Sequence, residues 1–116
     1  MARKKTAPPE YWTLKRRYPG YLDAVEALGV AVRHAGPLDE KTTQLVQLGA
    51  AAAIRSEGAV HSHVRRALAA GAAAEEIRHA VISITSTIGF PNVRAALSWA
   101  DDLLGKMPAK GKSAGT

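Results

Sequence analysis

The chain has 116 residues with a formal net charge of +6, 47% hydrophobic and 22% charged residues, and no cysteine. At that length one domain is expected and a large multidomain enzyme is not, and the missing thiols exclude any mechanism that needs a thiolate nucleophile. The positive charge is peripheral: residues 1–17 carry six basic side chains against Glu10, residues 106–116 carry three lysines, and residues 18–105 hold nine acidic against seven basic side chains. A folded nucleic-acid reader places a basic stripe on its structured face, often with stacking aromatics, so no specific nucleic-acid partner is expected. No apolar run is long enough to cross a bilayer, and nothing at the start reads as a secretory leader. The expectation is a cytoplasmic protein without a membrane partner.

In chain order, residues 1–17 form a basic segment with Pro8-Pro9, expected as a largely flexible arm. Tyr11, Trp12, Tyr18 and Tyr21 concentrate four of the six aromatics, as a cover for the core or a neighbouring subunit, or as a lid over a ligand pocket. Leu22 to His34 has Leu22, Val25, Leu28 or Gly29, and Val32 at helical spacing and stops at Gly36-Pro37. Asp39 suits the N-cap of a second helix that buries Leu45, Leu48 and Ala52. After the break Arg55-Ser56-Glu57-Gly58, a third helix runs to Ala70 with Val60, Val64 and Leu68 as its core stripe, and Gly71 is its left-handed stop. The fourth helix has Glu75 and Glu76 in its first turn and the stripe Ile77, Val81, Ile84 and Ile88 up to Gly89. Pro91 opens the fifth, with Leu97, Ala100 and Leu104 inward and Gly105 ending it. Nothing alternates at period two, so the fold class is all-α with about five helices, followed by a disordered basic tail over 106–116.

Chemistry concentrates around the break. Imidazole and carboxylate beside an apolar helix pair are the material of proton transfer, and Glu57, His61 and His63 lie within seven residues. At 100° per residue, His61 and His63 diverge by about 160° around the third helix and cannot share one metal ion from that helix alone. A metal would have to recruit ligands from another helix or subunit, and no metal or other cofactor is expected. His61 sits one turn after Glu57, so the two can pair. His63 shares its face with Ala59, Ala67 and Ala70, which suits close helix packing or a cavity beside the imidazole. Arg55, Arg65 and Arg66 flank the break and can grip a carboxylate bidentately, or are simply surface. Ser83, Thr85, Ser86 and Thr87 can bond back to the preceding turn or line a polar pocket with Phe90 and Trp99. His34 and His79 read as structural.

The stretch LDEKT from Leu38, the run SEGAVHSHVRRALAAGAAAEEIRHAV from Ser56 and the closing IGFPNVRAALSWADDLL from Ile88 resemble the carboxymuconolactone decarboxylase and alkylhydroperoxidase D-like group over residues 18–104. Redox members of that group carry Cys-x-x-Cys-x-x-x-His and a glutamate on the preceding helix. Those positions fall here on Ser56, Ala59, His63 and Gln44, so the histidine alone is kept and thiol peroxidase activity is not expected. The decarboxylase branch is matched by Glu57, by His63-x-Arg65 and by the EEIR and GFP runs. The resemblance implies a helical bundle over 18–105 that assembles as a trimer or hexamer, and an Ala-rich core too shallow for a small chain points to homo-oligomers as well. It further implies a carboxy-lyase or isomerase acting on a small carboxylated molecule, with His63, Glu57 and His61 as acid or base and Arg65, Gln44 and Phe90 around the substrate. A non-catalytic ligand-binding or scaffold oligomer of the same fold is the alternative.

Overall fold

The computed structural model describes residues 7–108, all of whose regular structure is helical. Residues 1–6 and 109–116, half of the expected basic ends over 1–17 and 106–116, lie outside the described residues. The chain divides into two units, residues 1–39 and 40–116. None of the described helices is long and apolar enough to cross a membrane.

In the first unit, α1 (Pro9–Arg17) and α2 (Pro19–Arg33) pack on each other. The helicity of α1 differs from the flexible arm expected over 1–17. Its cause is local: a proline in the first turn, Glu10 at the positive end of the helix dipole, and Lys15, Arg16 and Arg17 at the negative end. Lys15 then reaches Glu26 at 2.7 Å and Asp23 at 3.3 Å on α2. Of the stripe expected on α2, Leu22 is buried, whereas Val25, Leu28 and Val32 are exposed.

The second unit is built on a helical hairpin, α3 (Glu40–Ala53) and α4 (Glu57–Ala69), whose other face α4 lays against α7 (Phe90–Leu104). Helix α5 (Ala74–Ile82) packs on α3 and α7, and α6 (Thr85–Ile88) on α7. The core comprises Leu48, Ala51, Ala52, Val60, Val64, Ala67, Ala72, Ile77, Val81, Val93, Ala96 and Ala100. Burying each of its Leu, Ile and Val side chains is worth about 1.5–3 kcal/mol, and the six alanines let the helix axes approach. On α4 the expected Val60 and Val64 are fully buried, and the stripe then ends on Ala67, fully buried, while the expected Leu68 is 40% exposed.

Helix ends follow the sequence signals at Gly71, Pro91 and Gly105 and depart from them at two other places. At the end of α4, Gly71 has φ +98°, with Gly71 N–H donating to Leu68 C=O and Ala72 N–H to Ala67 C=O, a Schellman stop. At the end of α3 the same hydrogen-bond pattern places Arg55 in the left-handed region, φ +57°, where glycine is the ordinary occupant. Its side chain is held by Asn92 Oδ1 and lies over the Trp99 ring at 6.0 Å. The expected fourth helix breaks in two after Ile82, because Ser83 Oγ donates back to Ala80 C=O and Thr85 Oγ1 to Ile82 C=O, competing with the helical ladder. Ile84 and Ile88 still pack against the core from the short α6. Helix α7 starts at Phe90 with Pro91 in its first turn, and Gly105 closes it at φ +84°.

Two polar devices fix α5. Glu76 accepts from the Ala73 backbone N–H at 2.9 Å and pairs with Lys41 at 3.0 Å. The backbone hydrogen bond, then Lys41, hold its carboxyl below the usual range. Arg78 is 94% buried: Nε and Nη2 donate to Asp101 Oδ1 at 3.3 and 3.1 Å, and Nη2 also donates to Gly105 C=O at 2.8 Å. One arginine thereby ties α5 to the end of α7.

Gly71→Ala should cost about 1–2 kcal/mol, the penalty for a Cβ in the left-handed region, since no atom crowds the site. Chemical denaturation measures it, and an unchanged midpoint would mean that the stop does not need glycine. Arg78→Ala should cost about 3 kcal/mol by stranding Asp101. A loss within the few tenths typical of a surface change would remove Arg78 from the fold's supports.

Candidate functional site

The packing of α4 between α3 and α7 sorts the expected site residues onto two flanks. On the α3 flank, Gln44 is fully buried and His63 half-buried. The Gln44 amide is oriented by its two neighbours. Its Nε2 donates to Glu40 Oε2 at 3.5 Å, and a carboxylate can only accept. Its Oε1 therefore faces His63 and accepts from Nδ1–H at 2.9 Å. The proton of a neutral His63 accordingly sits on Nδ1, which makes Nε2 the nitrogen with the basic lone pair.

On the α7 flank, His61 Nε2 donates to Asp102 Oδ2 at 2.9 Å and lies 4.0 Å from Glu57 Oε2. The expected Glu57–His61 pair is present, and its shorter partner is a residue that the sequence reading missed. Asp102 lies 41 positions further on, and helical periodicity says which way a side chain faces, not what another helix brings to it.

The expected residues therefore do not converge. Glu57, His61 and Arg65 follow one another at intervals of four along α4, while His63 points about 160° away from His61. Arg65 thus leaves α4 on the side away from the His63 imidazole. Burial, and secondarily its neighbour Arg66, lower the Arg65 pKa. Among the described residues it has no carboxylate partner. Phe90 opens α7 with 61% of its surface exposed.

The two positions where redox relatives would hold cysteines have structural occupants. Ser56 caps α4, its Oγ accepting from Ala59 N–H at 3.2 Å, and Ala59 packs against the core. An open groove of about 240 Å³ lies elsewhere, lined by Glu75, Arg78, His79, Ile82, Met107 and Pro108, none of them an expected site residue.

Comparison with known proteins adds one distant relative. The chain is 37% identical over 54 residues to an uncharacterized protein of Haemophilus influenzae, a stretch that is 47% of this chain and 48% of that protein. The matched segment thus spans about half the length of the curated relative. No solved structure matches the chain. The family model described as the carboxymuconolactone decarboxylase family matches residues 19–102, the span that holds both flanks of α4. With the lead-in, the helix break and the GFP turn all inside that match, the chain belongs to the carboxymuconolactone decarboxylase family.

Proposed function

We propose that the protein is a small-molecule lyase or isomerase whose acid–base group is His63, acting on a carboxylated lactone or a similar acid. The observation that carries this reading is the buried Gln44 carboxamide, which accepts from His63 Nδ1–H and so puts the basic lone pair of the neutral imidazole on Nε2. A buried amide that orients one imidazole is the arrangement a general base needs, with its tautomer settled before substrate arrives. Decarboxylation breaks the bond between a carbon and its carboxylate, releases CO2 and leaves an electron pair on that carbon. The pair is delocalised into an adjacent carbonyl, and the carbon then takes a proton, which protonated His63 supplies from Nε2. An isomerisation uses the same nitrogen twice, first as base and then as acid. Glu57 and His61 face the other flank and take no part in this step.

Arg65 leaves α4 on the side away from His63, and in this reading the anchor for the anionic end of the substrate comes from elsewhere in the assembled protein. We infer that the protein is a homo-oligomer, because α2 presents Tyr21, Val25, Leu28 and Val32 to solvent and the second unit presents Val46, Ile54 and Phe90. Apolar surface on that scale marks contact sites. Light scattering at micromolar concentration should give a multiple of the 12.3 kDa protomer, and a stable monomer would contradict the inference.

Release of CO2, or isomerisation, from a panel of small carboxylated lactones tests the activity. His63→Gln should lower turnover about 10²–10⁴-fold, the usual worth of a general acid or base, while His79→Ala on the exposed face of α5 should not. Gln44→Leu should lower turnover and alter its pH profile, because the tautomer is no longer fixed. Saturable binding of such acids with no turnover by the intact protein would instead support a non-catalytic binding oligomer. Turnover unaffected by His63→Gln would overturn the assignment.

A further inference from the structure

The α7 flank of α4 brings together three metal-competent side chains. Glu57 and His61 stand one turn apart on α4, and Asp102 comes from α7, which packs along that face. One donor atom from each lies within 4.8 Å of the others. Bonds of about 2.0–2.2 Å to imidazole nitrogen and carboxylate oxygen put the donors around a zinc-like ion roughly 3–4 Å apart. His61 Nε2 is already 2.9 Å from Asp102 Oδ2 and 4.0 Å from Glu57 Oε2, so a small rotation of the glutamate completes the spacing. We propose that Glu57, His61 and Asp102 bind a divalent first-row transition-metal ion of the zinc class.

Charge and access support the assignment. Two carboxylates flank one imidazole, so the group stays net negative even when His61 carries a proton. The neighbouring Asp101 does not compete, since it is committed to Arg78. The Arg65 cation stands one turn beyond His61 on α4, and a divalent ion held between Glu57 and Asp102 offsets the negative charge of the two carboxylates more closely than that side chain does. Glu57 and Asp102 are more than half exposed as side chains whereas His61 is 27% exposed, so an ion enters from solvent and water fills its remaining positions. A set of one imidazole and two carboxylates selects zinc, cobalt or manganese over magnesium or calcium, which favour oxygen alone. The site stands independently of the acid–base reading, because His63 is on the opposite flank.

Isothermal titration of the full chain with Zn²⁺ should show one ion bound per chain, and Co²⁺ should give visible absorption bands on binding. His61→Ala should weaken binding by at least the about tenfold that loss of even an outer-shell partner costs, with Asp102→Asn acting in the same direction. His63→Gln and His79→Ala should bind as the parent does. Circular dichroism checks the fold of each variant, and if Asp102→Asn unfolds, Glu57→Gln tests the same set from an exposed position. No Zn²⁺ binding by the parent protein, or binding that His61→Ala leaves unchanged, overturns the proposal.

Discussion

A carboxamide removed from solvent must find its hydrogen bonds inside the protein or cost the fold about 1–3 kcal/mol for each group left unmade. Gln44 meets that demand with Glu40 one turn earlier on its own helix and with His63 on the facing one. The pair therefore does two things at once. It sets the register of α3 against α4, since a slide of one residue would strand the amide, and it decides which nitrogen of His63 holds the proton. The glutamate of the redox relatives would give the same imidazole a negative partner and stabilise its charged form. A neutral glutamine fixes the tautomer without that bias.

The core that surrounds this pair is thin. Six of its twelve residues are alanine, which brings the helices close but stabilises little per residue. Polar contacts supply what the apolar side chains do not: Arg78 joins α5 to α7, His61 joins α4 to α7, and Arg55 holds a left-handed turn against Asn92 and Trp99. The exposed apolar faces are the other consequence.

Much of the fold was legible because helix stops are local chemistry. Gly71, Gly105 and Pro91 act within a few residues of themselves, and each stands where the sequence placed it. The features that escaped depend on competition or on partners far along the chain. The break between α5 and α6 is a contest between hydroxyls and the backbone ladder over the same carbonyls, and the stripe of isoleucines gave the opposite indication. The helix over Pro9–Arg17 was hidden by its charge, although the signs of that charge follow the helix dipole. Asp102 beside His61 and Asp101 beside Arg78 are meetings of helices, invisible to periodicity. The family resemblance located His63 and Gln44, and helix geometry separated Arg65 from them.

The tautomer of His63 is the most direct test of the account. Long-range proton–nitrogen correlation spectra of uniformly labelled protein distinguish the two neutral forms of each imidazole. With the Gln44 oxygen accepting from Nδ1–H, His63 should show a protonated Nδ1 and an unprotonated Nε2 at a pH where it is neutral, and Gln44→Leu should restore a mixture. A His63 signal with the proton on Nε2 in the parent protein would contradict the orientation of the Gln44 amide and, with it, the role given to His63.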